Sequence, residues 1–253
     1  MSHFQDRLTL KGKRVLITGA SSGIGAHLAQ FAAAQGADVL LAARRVEKLR
    51  GVAQTIASDG GTATPHALDI TDVRAVEELM VATEIDVLVN NAGIGQMSSA
   101  HGMDEAEFDH LMSTNLKGAW SLSRAAAKSW IAHETKGVIV NVSSILGARV
   151  ASQVSIYATS KAAMNQMTKA QALEWARYGI RVNALAPGYV TTELNADFFA
   201  SEPGQKLINR IPMRRLGQYQ ELEGPFLMLA SDAGSFMTGA VIPVDGGHLV
   251  SSL

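Results

Sequence analysis

The sequence predicts an α/β fold in which a parallel β-sheet is covered by helices. Short apolar runs alternate with longer amphipathic stretches along the chain, which is the pattern of repeated strand–helix–strand units. Glycines follow the first apolar run and several of the amphipathic stretches, where they permit tight turns and end helices. The 253 residues contain no linker, internal repeat or low-complexity tract, so residues 1–253 are expected to form a single domain.

Seven runs are predicted to be strands, the first of them buried. They are Val15–Thr18, Val39–Ala42, Thr64–Leu68, Val87–Asn90, Val138–Val142, Arg181–Ala186 and Val241–Val244. The amphipathic stretches predicted to be helices are Ala26–Gln35, Val46–Ser58, Asp72–Ala82, Asp104–Ser113, Leu116–His133 and Tyr157–Tyr178. Gly36, Gly60 and Gly179 stand just beyond three of these helices, where glycine commonly ends a helix. The segment Thr191–Gly217 breaks the alternation and is either an ordered insertion or a mobile lid.

Composition and charge exclude several classes of function. Hydrophobic residues make up 47% and charged residues 18% of the chain, an ordinary globular balance. The net charge of -1 does not suggest a nucleic-acid or anionic-membrane partner. There is no cysteine, and the seven histidines include no pair at helical metal spacing, so no disulfide and no metal site are expected. Neither a secretory signal in Met1–Leu10 nor a membrane span is evident, so a soluble cytoplasmic protein is expected.

The turn after the first predicted strand is rich in glycine. It reads TGASSGIG over Thr18–Gly25, and such a turn lets backbone N–H groups approach a pyrophosphate at a helix N-terminus. Its spacing differs from the G-x-G-x-x-G dinucleotide fingerprint, and no Gly-Lys-Ser/Thr follows, which argues against a nucleoside triphosphatase. The alternative is a tight turn that needs glycine only for close packing of helix on strand.

The end of the second predicted strand bears on the choice of dinucleotide. In such folds an acidic residue here binds the ribose 2′-hydroxyl of NAD, whereas arginine accommodates the 2′-phosphate of NADP. Ala43 has no carboxylate, and Arg44 and Arg45 carry guanidinium groups suited to phosphate. NADP is therefore favoured and NAD is possible, unless both arginines belong only to a solvated helix start.

Tyr157 and Lys161 form a candidate proton-transfer pair. They stand four residues apart at the start of a predicted helix, a spacing that places both on one helix face. A free phenol has a pKa of about 10, too high for an efficient base at neutral pH. A neighbouring ammonium group would lower that pKa and allow the phenol to deprotonate an alcohol. The alternative is an interfacial tyrosine beside a solvated lysine.

With other motifs in the same order, these residues make the chain resemble the short-chain dehydrogenase/reductase family in its compact form. The motifs are Thr18–Gly25, Asn90–Gly93 (NNAG), Asn115, Val142–Ser144 (VSS), Tyr157 with Lys161, and Pro187–Gly188. The chain is most similar to 3-oxoacyl carrier-protein reductases and to gluconate- or polyol-type dehydrogenases. The resemblance implies a doubly wound Rossmann fold with a seven-stranded parallel sheet, helices on both faces, bound NADP or NAD, and a homotetramer.

The resemblance implies that the catalytic residues are Asn115, Ser144, Tyr157 and Lys161. The Ser144 hydroxyl would bond the substrate oxygen and stabilise its charge as hydride moves, while Ser143 faces away because strand side chains alternate. Tyr157 would exchange a proton with the substrate oxygen. Lys161 would lower the pKa of Tyr157 and bind the nicotinamide ribose, and Asn115 would hold a helix kink and a water that links Lys161 to solvent.

The resemblance also implies which residues contact the dinucleotide. They are Gly19, Ser21, Ser22, Gly23, Ile24, Arg44, Arg45, Asp69, Ile70, Asn91, Ala92, Gly93, Tyr157, Lys161, Pro187, Gly188, Val190 and Thr192. Asp69 would meet the adenine amino group, although it could instead cap the next helix in competition with Thr71 and Asp72. Many members that use NADP carry a basic residue at the position of Ser22, so the preference for NADP depends on Ala43 and Arg44.

The leading hypothesis is an NADP-dependent enzyme that interconverts a small secondary alcohol and a ketone. The alternatives are an NAD-dependent polyol or sugar-acid dehydrogenase, a dinucleotide-binding protein without turnover, and a dehydratase or epimerase. If the segment 191–217 is a lid, the residues expected to form an apolar substrate pocket are Met97, Val154, Tyr189 and Phe199. A carrier-protein partner would need a basic patch, for which the candidates are Arg210, Arg214 and Arg215.

Overall fold

A computed structural model of the protein describes residues 4–192 and 196–251 and contains a sheet of seven parallel strands. The strands are β1 (Arg14–Thr18), β2 (Asp38–Ala43), β3 (Thr62–Ala67), β4 (Val87–Asn90), β5 (Gly137–Val142), β6 (Ile180–Pro187) and β7 (Val241–Val244). Their order across the sheet is β3-β2-β1-β4-β5-β6-β7. This is the predicted doubly wound fold. The strand order reverses between β1 and β4, which is where ligands bind in open α/β sheets.

Ten α-helices lie in the described part of the chain. They are α1 (Phe4–Arg7), α2 (Gly23–Ala34), α3 (Val46–Ser58), α4 (Val73–Ala82), α5 (Glu105–Met112), α6 (Ala119–Ala132), α7 (Ser155–Trp175), α8 (Ala196–Ala200), α9 (Glu202–Ile208) and α10 (Glu223–Ala230). Among the described residues, no helix is long and apolar enough to cross a membrane.

Each side of the sheet has its own hydrophobic core, because successive strand residues face opposite sides. Val15 and Ile17 of β1 pack on one side together with α2, α3 and α10. Leu16, between them in sequence, packs on the other side with α4, α6 and α7. Full burial of one such side chain contributes about 2 kcal/mol. The helices that cover both faces leave the carboxyl edge of the sheet for the site.

The helices predicted at Asp104–Ser113 and Leu116–His133 are α5 and α6, but no loop separates them. A π-helical stretch, Ser113–Gly118, joins α5 to α6, and the backbone keeps right-handed helical angles at both junctions. The side chain of Asn115 within it bonds to the backbone of Ile94: Oδ1 accepts from the N–H at 2.8 Å, and Nδ2 donates to the carbonyl at 2.9 Å. The poor helix propensity of asparagine suggests a break, but these tertiary bonds hold a widened turn instead.

The sequence pattern does not predict α10, or the two short helices α8 and α9. Helix α10 has Gly224 and Pro225 in its first turn and is apolar around its circumference, so it lacks the one-sided apolar periodicity by which a surface helix is recognised. Burial of α10 against the sheet stabilises this helix. Such burial depends on tertiary structure, so the local sequence pattern does not predict it.

The segment Thr191–Gly217 begins and ends at one point of the structure. Val190 forms a parallel bridge with Gly217, and the N–H of Thr191 donates to the carbonyl of Gly217 at 2.9 Å. Helices α8 and α9 lie between these ends. Residues 193–195 are outside the described part of the chain, and the choice between an ordered insertion and a mobile lid stays a prediction.

Candidate active site

The glycine-rich turn joins β1 to the N-terminus of α2 at the carboxyl edge of the sheet. Gly19 and Gly23 have φ angles of 66° and 60°, which residues with side chains rarely adopt. A Cβ atom on Gly19 would lie 2.8 Å from the Cα atom of Ala92, and one on Gly25 would lie 2.3 Å from Nδ2 of Asn91. Close packing therefore accounts for Gly19 and Gly25. A role in ligand binding is compatible with this packing role, because both glycines also line a cleft.

This cleft has a volume of about 410 Å³, within the usual range of ligand pockets. The predicted cofactor residues that line it are Gly19, Ser21, Ser22, Ile24, Arg44, Arg45, Asp69, Ile70, Asn91, Ala92, Gly93 and Thr192. Its lining combines bare backbone, guanidinium groups and apolar surface, which fits the phosphates, ribose and adenine of a dinucleotide.

Sequence reasoning missed several residues that line the same cleft. They are Ala42, Leu68, Ile94 and Thr114, whereas Gly25 and Ala43, which line it too, belong to stretches that the sequence already indicated. Most of them end a strand or follow one closely: Ala42 and Ala43 are the last residues of β2, and Leu68 comes directly after β3. The rule that ligands lie beyond the carboxyl ends of parallel strands could have identified them.

Six predicted cofactor residues are not part of the cleft lining, and they are Gly23, Tyr157, Lys161, Pro187, Gly188 and Val190. The last three lie at the carboxyl end of β6, beside β7. The N–H of Gly188 donates to the carbonyl of Val244 at 2.9 Å, and a Cβ atom on Gly188 would lie 2.8 Å from the Cα atom of Asp245. The structure thus explains Gly188 by close packing.

Arg44 and Arg45 take different positions beside the cleft. Nη2 of Arg45 donates to the hydroxyl oxygens of Ser21 and Ser22, at 2.9 and 2.8 Å. Arg45 therefore joins the start of α3 to the glycine-rich turn, and is more than a solvated helix residue. Arg44 lines the cleft with its side chain exposed. With Ala43 beside them, the end of β2 presents two cations and no carboxylate.

Asp69 does not cap α4, which was the alternative left open by the sequence. Asp72 performs that role, accepting from the N–H groups of Arg74 and Ala75 at 3.0 and 3.1 Å. Asp69 accepts from the N–H and the hydroxyl of Thr71 at 2.9 and 2.8 Å. The backbone hydrogen bond from Thr71 is the largest cause that holds the pKa of Asp69 below its usual value. An ionised carboxylate therefore lines the cleft at neutral pH.

The predicted catalytic lysine and asparagine are buried side by side. Nζ of Lys161 donates to the carbonyl of Val142 at 2.9 Å and lies 5.7 Å from the ring centroid of Tyr157. Asn115 is fully buried and Lys161 is almost so. A Cβ atom on Gly93 would lie 3.3 Å from Oδ1 of Asn115 and 3.6 Å from Nζ of Lys161, which shows that the two polar groups converge on this glycine.

Ser144 lies close enough to Tyr157 for its hydroxyl to lower the pKa of the phenol. Oγ of Ser144 also accepts from the N–H of Leu146 at 3.1 Å, so its own hydrogen is free to be donated. Ser143 points elsewhere, as alternation predicts, and donates to Oδ1 of Asn165 at 2.6 Å. The serine with its hydroxyl at the tyrosine is thus Ser144.

That Lys161 lowers the pKa of Tyr157 stays a prediction. Burial raises the pKa of Tyr157, and the hydroxyl of Ser144 offsets this only in part. The ammonium group of Lys161 is directed to the carbonyl of Val142 instead of to the phenol. Burial lowers the pKa of Lys161 itself to about 8. At neutral pH the phenol therefore keeps its proton, and the lysine keeps most of its charge.

The four residues predicted to form an apolar pocket are only partly brought together. The rings of Tyr189 and Phe199 meet edge to face, with centroids 5.7 Å apart. Val154 forms a backbone bridge with Ser98, next to Met97, but the Met97 side chain is 70% exposed. A pocket with all four as its walls is not what the structure presents.

The predicted basic patch is partly neutralised. Arg215 forms an ion pair with Glu221, in which Nη2 and Oε1 are 2.6 Å apart. Arg214 donates to the carbonyl of Asn209. The patch is therefore less cationic than the sequence suggests. Within residues 4–192 and 196–251, no cluster of three histidine, aspartate or glutamate residues could hold a metal ion.

Comparison with known proteins identifies related chains along almost the full length. Residues 19–248 match the family model described as enoyl-(acyl carrier protein) reductase. The gluconate 5-dehydrogenase of Gluconobacter oxydans is 38% identical over 257 residues, covering 99% of this chain and 100% of that protein. The 3-oxoacyl-[acyl-carrier-protein] reductase of Thermotoga maritima is 36% identical over 248 residues, covering 96% of this chain and 100% of that protein.

A solved structure shows the same architecture. The crystal structure of a gluconate 5-dehydrogenase from Burkholderia cenocepacia J2315, in complex with NADP and tartrate, has a TM-score of 0.94 and 34% identity to this chain. The match covers 99% of this chain and 100% of that one. The similarity inferred from sequence motifs, to carrier-protein reductases and to gluconate-type dehydrogenases, is confirmed.

Proposed function

The chain belongs to the short-chain dehydrogenase/reductase family, whose members are NAD(P)-dependent oxidoreductases, and we propose that it transfers hydride between NADP(H) and a secondary alcohol or ketone. Tyr157 is its general acid and base. The observation that carries the proposal is the position of the buried Lys161 ammonium on the face of the Tyr157 ring, 5.7 Å from its centroid, on the same side of the cleft as Asn115 and Gly93. We further propose that residues 1–253 act as one catalytic domain in the cytoplasm, a reducing compartment that suits a chain without cysteine.

Ser144 and Tyr157 have different roles in the reduction of a ketone. The reduced nicotinamide, when bound, supplies the hydride. The Ser144 hydroxyl donates to the carbonyl oxygen of the substrate and stabilises the negative charge that develops there. Tyr157 then gives its proton to that oxygen. Because burial raises the pKa of Tyr157, the proton-donating form is present at neutral pH, which favours reduction. Oxidation of the alcohol needs the phenolate and is therefore expected to gain from alkaline pH.

Lys161 and Asn115 support the phenol from within the protein. The ammonium group of Lys161 lies on the face of the Tyr157 ring, where its charge stabilises the electrons of the ring. Asn115 is anchored to the backbone of Ile94 at both ends of its amide, so its position is fixed. The closeness of Asn115 and Lys161 to Gly93 supports a path by which the proton lost from Tyr157 is replaced.

A panel of ketones and secondary alcohols, followed at the absorbance band of the reduced nicotinamide, tests this function. NADPH should be consumed with at least one ketone of the panel. Gluconate 5-dehydrogenases are among the relatives, so a sugar acid or polyol is the second candidate substrate. The panel should therefore contain 5-keto-gluconate and a 3-oxoacyl thioester. A protein that binds NADPH and oxidises it with no member of the panel would contradict the proposal.

The preference for NADP is proposed from Ala43, Arg44 and Arg45 at the end of β2. Replacing Arg44 by alanine is expected to lower the ratio of kcat/KM for NADPH over NADH about tenfold or more, because a charge-assisted bond to phosphate is lost. Steady-state kinetics with both cofactors measure the ratio. Arg50→Ala is the matched control, since Arg50 is exposed on α3 and pairs with Glu47. A parent ratio below one, or an Arg44→Ala ratio equal to the parent's, would disprove the preference.

A homotetramer is proposed from the family and from two surfaces. Helices α5, α6 and α7 border a groove of about 460 Å³ that includes Met112, Leu116, Trp120 and Met167, and Trp120 is 44% exposed. Strand β7 is an edge strand of the sheet, and such edges invite pairing. Light scattering should give four times the chain mass of 26.8 kDa, and Trp120→Glu should lower it. A monomeric parent would contradict the proposal.

A further inference from the structure

A second cavity lies at the amino edge of the sheet, opposite the edge that carries the dinucleotide cleft. The strands are parallel, so their amino ends meet at one edge. The cavity is bordered by the first residues of β4, β5 and β6 and by residues 235–238, which lead into β7. Its volume of about 510 Å³ exceeds that of the cleft. The described residues that line it include no member of the proposed active site.

The side chains that line this cavity carry more positive than negative charge. Its cations are Lys13, Lys136 and Arg181, and its carboxylates are Asp86 and Asp232. Within residues 4–192 and 196–251, none of the three cations forms an ion pair. One oxygen of the Asp86 carboxylate already accepts from the N–H of Arg14, at 2.8 Å. The cavity therefore offers cations that are available to an anionic ligand.

Arg181 is the most enclosed of these cations, and its position is fixed. Its Nη2 donates to the carbonyl of Ser231 at 2.9 Å, and its Nη1 to the carbonyl of Met237 at 3.3 Å. A Cβ atom on Gly234 would lie 3.4 Å from Nη1. Burial lowers the pKa of Arg181, and the charge of Asp232 offsets this only in part. A guanidinium has five N–H donors, so three are not used by the described residues. A half-buried charge of this kind gains from a bound counter-ion.

Lys136 stands next to Arg181 across the sheet. Lys136 directly precedes β5, and Arg181 is the second residue of β6. These strands are neighbours, with Gly137 opposite Ile180, and neighbouring strands lie about 4.8 Å apart. A Cβ atom on Gly179 would lie 3.1 Å from Cγ of Lys136, so the stem of the lysine packs against this glycine. One ligand can therefore contact both cations.

Phe236 adds an apolar surface to the same cavity. Its side chain is fully exposed and belongs to the cavity lining. A single exposed aromatic residue is common on protein surfaces, but this one lies beside a pair of cations. The face of its ring can stack on a flat apolar group, while Lys136 and Arg181 bind a negative charge. The lining thus fits a ligand that combines both parts.

We propose that the amino edge of the sheet carries a second binding site, which takes a phosphate monoester with an aromatic group. The phosphate lies between Lys136 and Arg181, and the aromatic group lies on Phe236. A phosphate monoester is a dianion and matches two cations, whereas a carboxylate carries one charge. The six residues of β5 span roughly 17 Å, so the new site and the dinucleotide cleft can be occupied together. The inference goes beyond the proposed function and does not depend on it.

Calorimetric titration with phenyl phosphate tests the site. The protein is saturated with NADPH, so that the dinucleotide cleft is filled. The parent is expected to bind one phenyl phosphate per chain with a Kd of about 1 mM or lower, and inorganic phosphate at least tenfold more weakly. Lys136→Met should weaken phenyl phosphate about tenfold, the effect of one charge-assisted bond. Phe236→Ala should remove the advantage of phenyl phosphate over inorganic phosphate.

Lys128→Met is the matched control, because Lys128 is exposed on α6 and does not line the cavity. It should bind phenyl phosphate as the parent does. Lys136 is also exposed, so Lys136→Met is expected to fold, and circular dichroism checks this. Arg181→Lys, which keeps the charge but not the fork, should weaken binding as well.

Absence of phenyl phosphate binding in the parent would overturn the inference. Equal Kd values for the parent and Lys136→Met would also overturn it, because the phosphate would then bind elsewhere. Light scattering of Phe236→Ala gives a further test. A lower molecular mass together with an unchanged Kd would mean that Phe236 packs against a second copy of the chain, and the assigned position of the aromatic group would be wrong. Ketone reduction by Lys136→Met should equal that of the parent, so these outcomes are separate from a failure of the proposed function.

Discussion

Tyr157→Phe is expected to lower kcat/KM for ketone reduction about 10³-fold, the size of effect that a general acid typically provides. The substitution removes the hydroxyl that is proposed to donate the proton and leaves the ring on which the ammonium of Lys161 lies. Fluorescence titration should give an NADPH Kd within tenfold of the parent's, because the cleft that includes Ser21 and Arg44 is unchanged.

Tyr178→Phe is the matched control. Tyr178 is an exposed tyrosine in the short helical turn that follows α7, so this change removes an equivalent hydroxyl far from the proposed site. Its activity should equal that of the parent. Reduction by Tyr157→Phe at the parent's rate would show that the proton reaches the substrate by another route, and the proposed chemistry would be wrong. Loss of both activity and NADPH binding would indicate a structural role for Tyr157 instead.

Lys161→Met is expected to abolish most activity and to make the protein more stable at pH 7. Burial lowers the pKa of Lys161 to about 8, from about 10.4 in an unfolded chain. Holding the proton on this buried group costs the folded protein roughly 3 kcal/mol at pH 7, at about 1.4 kcal/mol for each pKa unit. Methionine fills a similar volume without charge. Urea unfolding at pH 7 should therefore show a higher free energy of unfolding for the variant.

The sign of the pH dependence follows from the same shift. Between pH 8 and about 10.4 the unfolded chain binds this proton and the folded chain releases it, so the contribution of Lys161 to stability rises with pH. This contribution is complete when the pH is above the pKa of lysine in the unfolded chain, and it is lost as the pH falls through 8. The advantage of Lys161→Met over the parent should shrink from pH 7 to pH 9.5. Lys169→Met, on the exposed face of α7, should show no such trend, and an advantage independent of pH would refute the explanation.

The strands could be predicted because most of them are continuous apolar runs that are buried, although the edge strands β3 and β7 contain no buried residue. Every predicted strand overlaps an observed one, and the largest disagreement at either end is two residues, as at Thr62–Ala67 of β3. Helix α3 has its predicted limits, Val46–Ser58. Helix α2 begins at Gly23 and not at Ala26, because Ile24 and Gly25 of the motif already lie in its first turn. Helix α10 was missed, since its stability comes from tertiary packing.

The sequence predicts that several candidate residues come together, but it does not predict their electrostatics. The spacing of Tyr157 and Lys161 on one helix follows from sequence alone, and their closeness is present in the structure. The direction of the pKa shift of Tyr157 depends on how deeply the phenol is buried. A sequence motif does not predict that depth. The bonds from Arg45 to Ser21 and Ser22 likewise join residues that only the folded chain brings together.

The widened turn at Ser113–Gly118 connects the position of Asn115 to the packing of α6 on the sheet. A π-turn holds one more residue than an α-turn, so closing it to an α-helix would require deletion of one residue. Such a deletion would rotate everything downstream by about 100°, carrying Leu122 and Trp130 away from the sheet they now cover. It would also withdraw the Asn115 amide from Ile94. The register of α6 and the position of Asn115 therefore cannot vary independently. The hydrogen bonds between Asn115 and Ile94 constrain the number of residues in this helical segment.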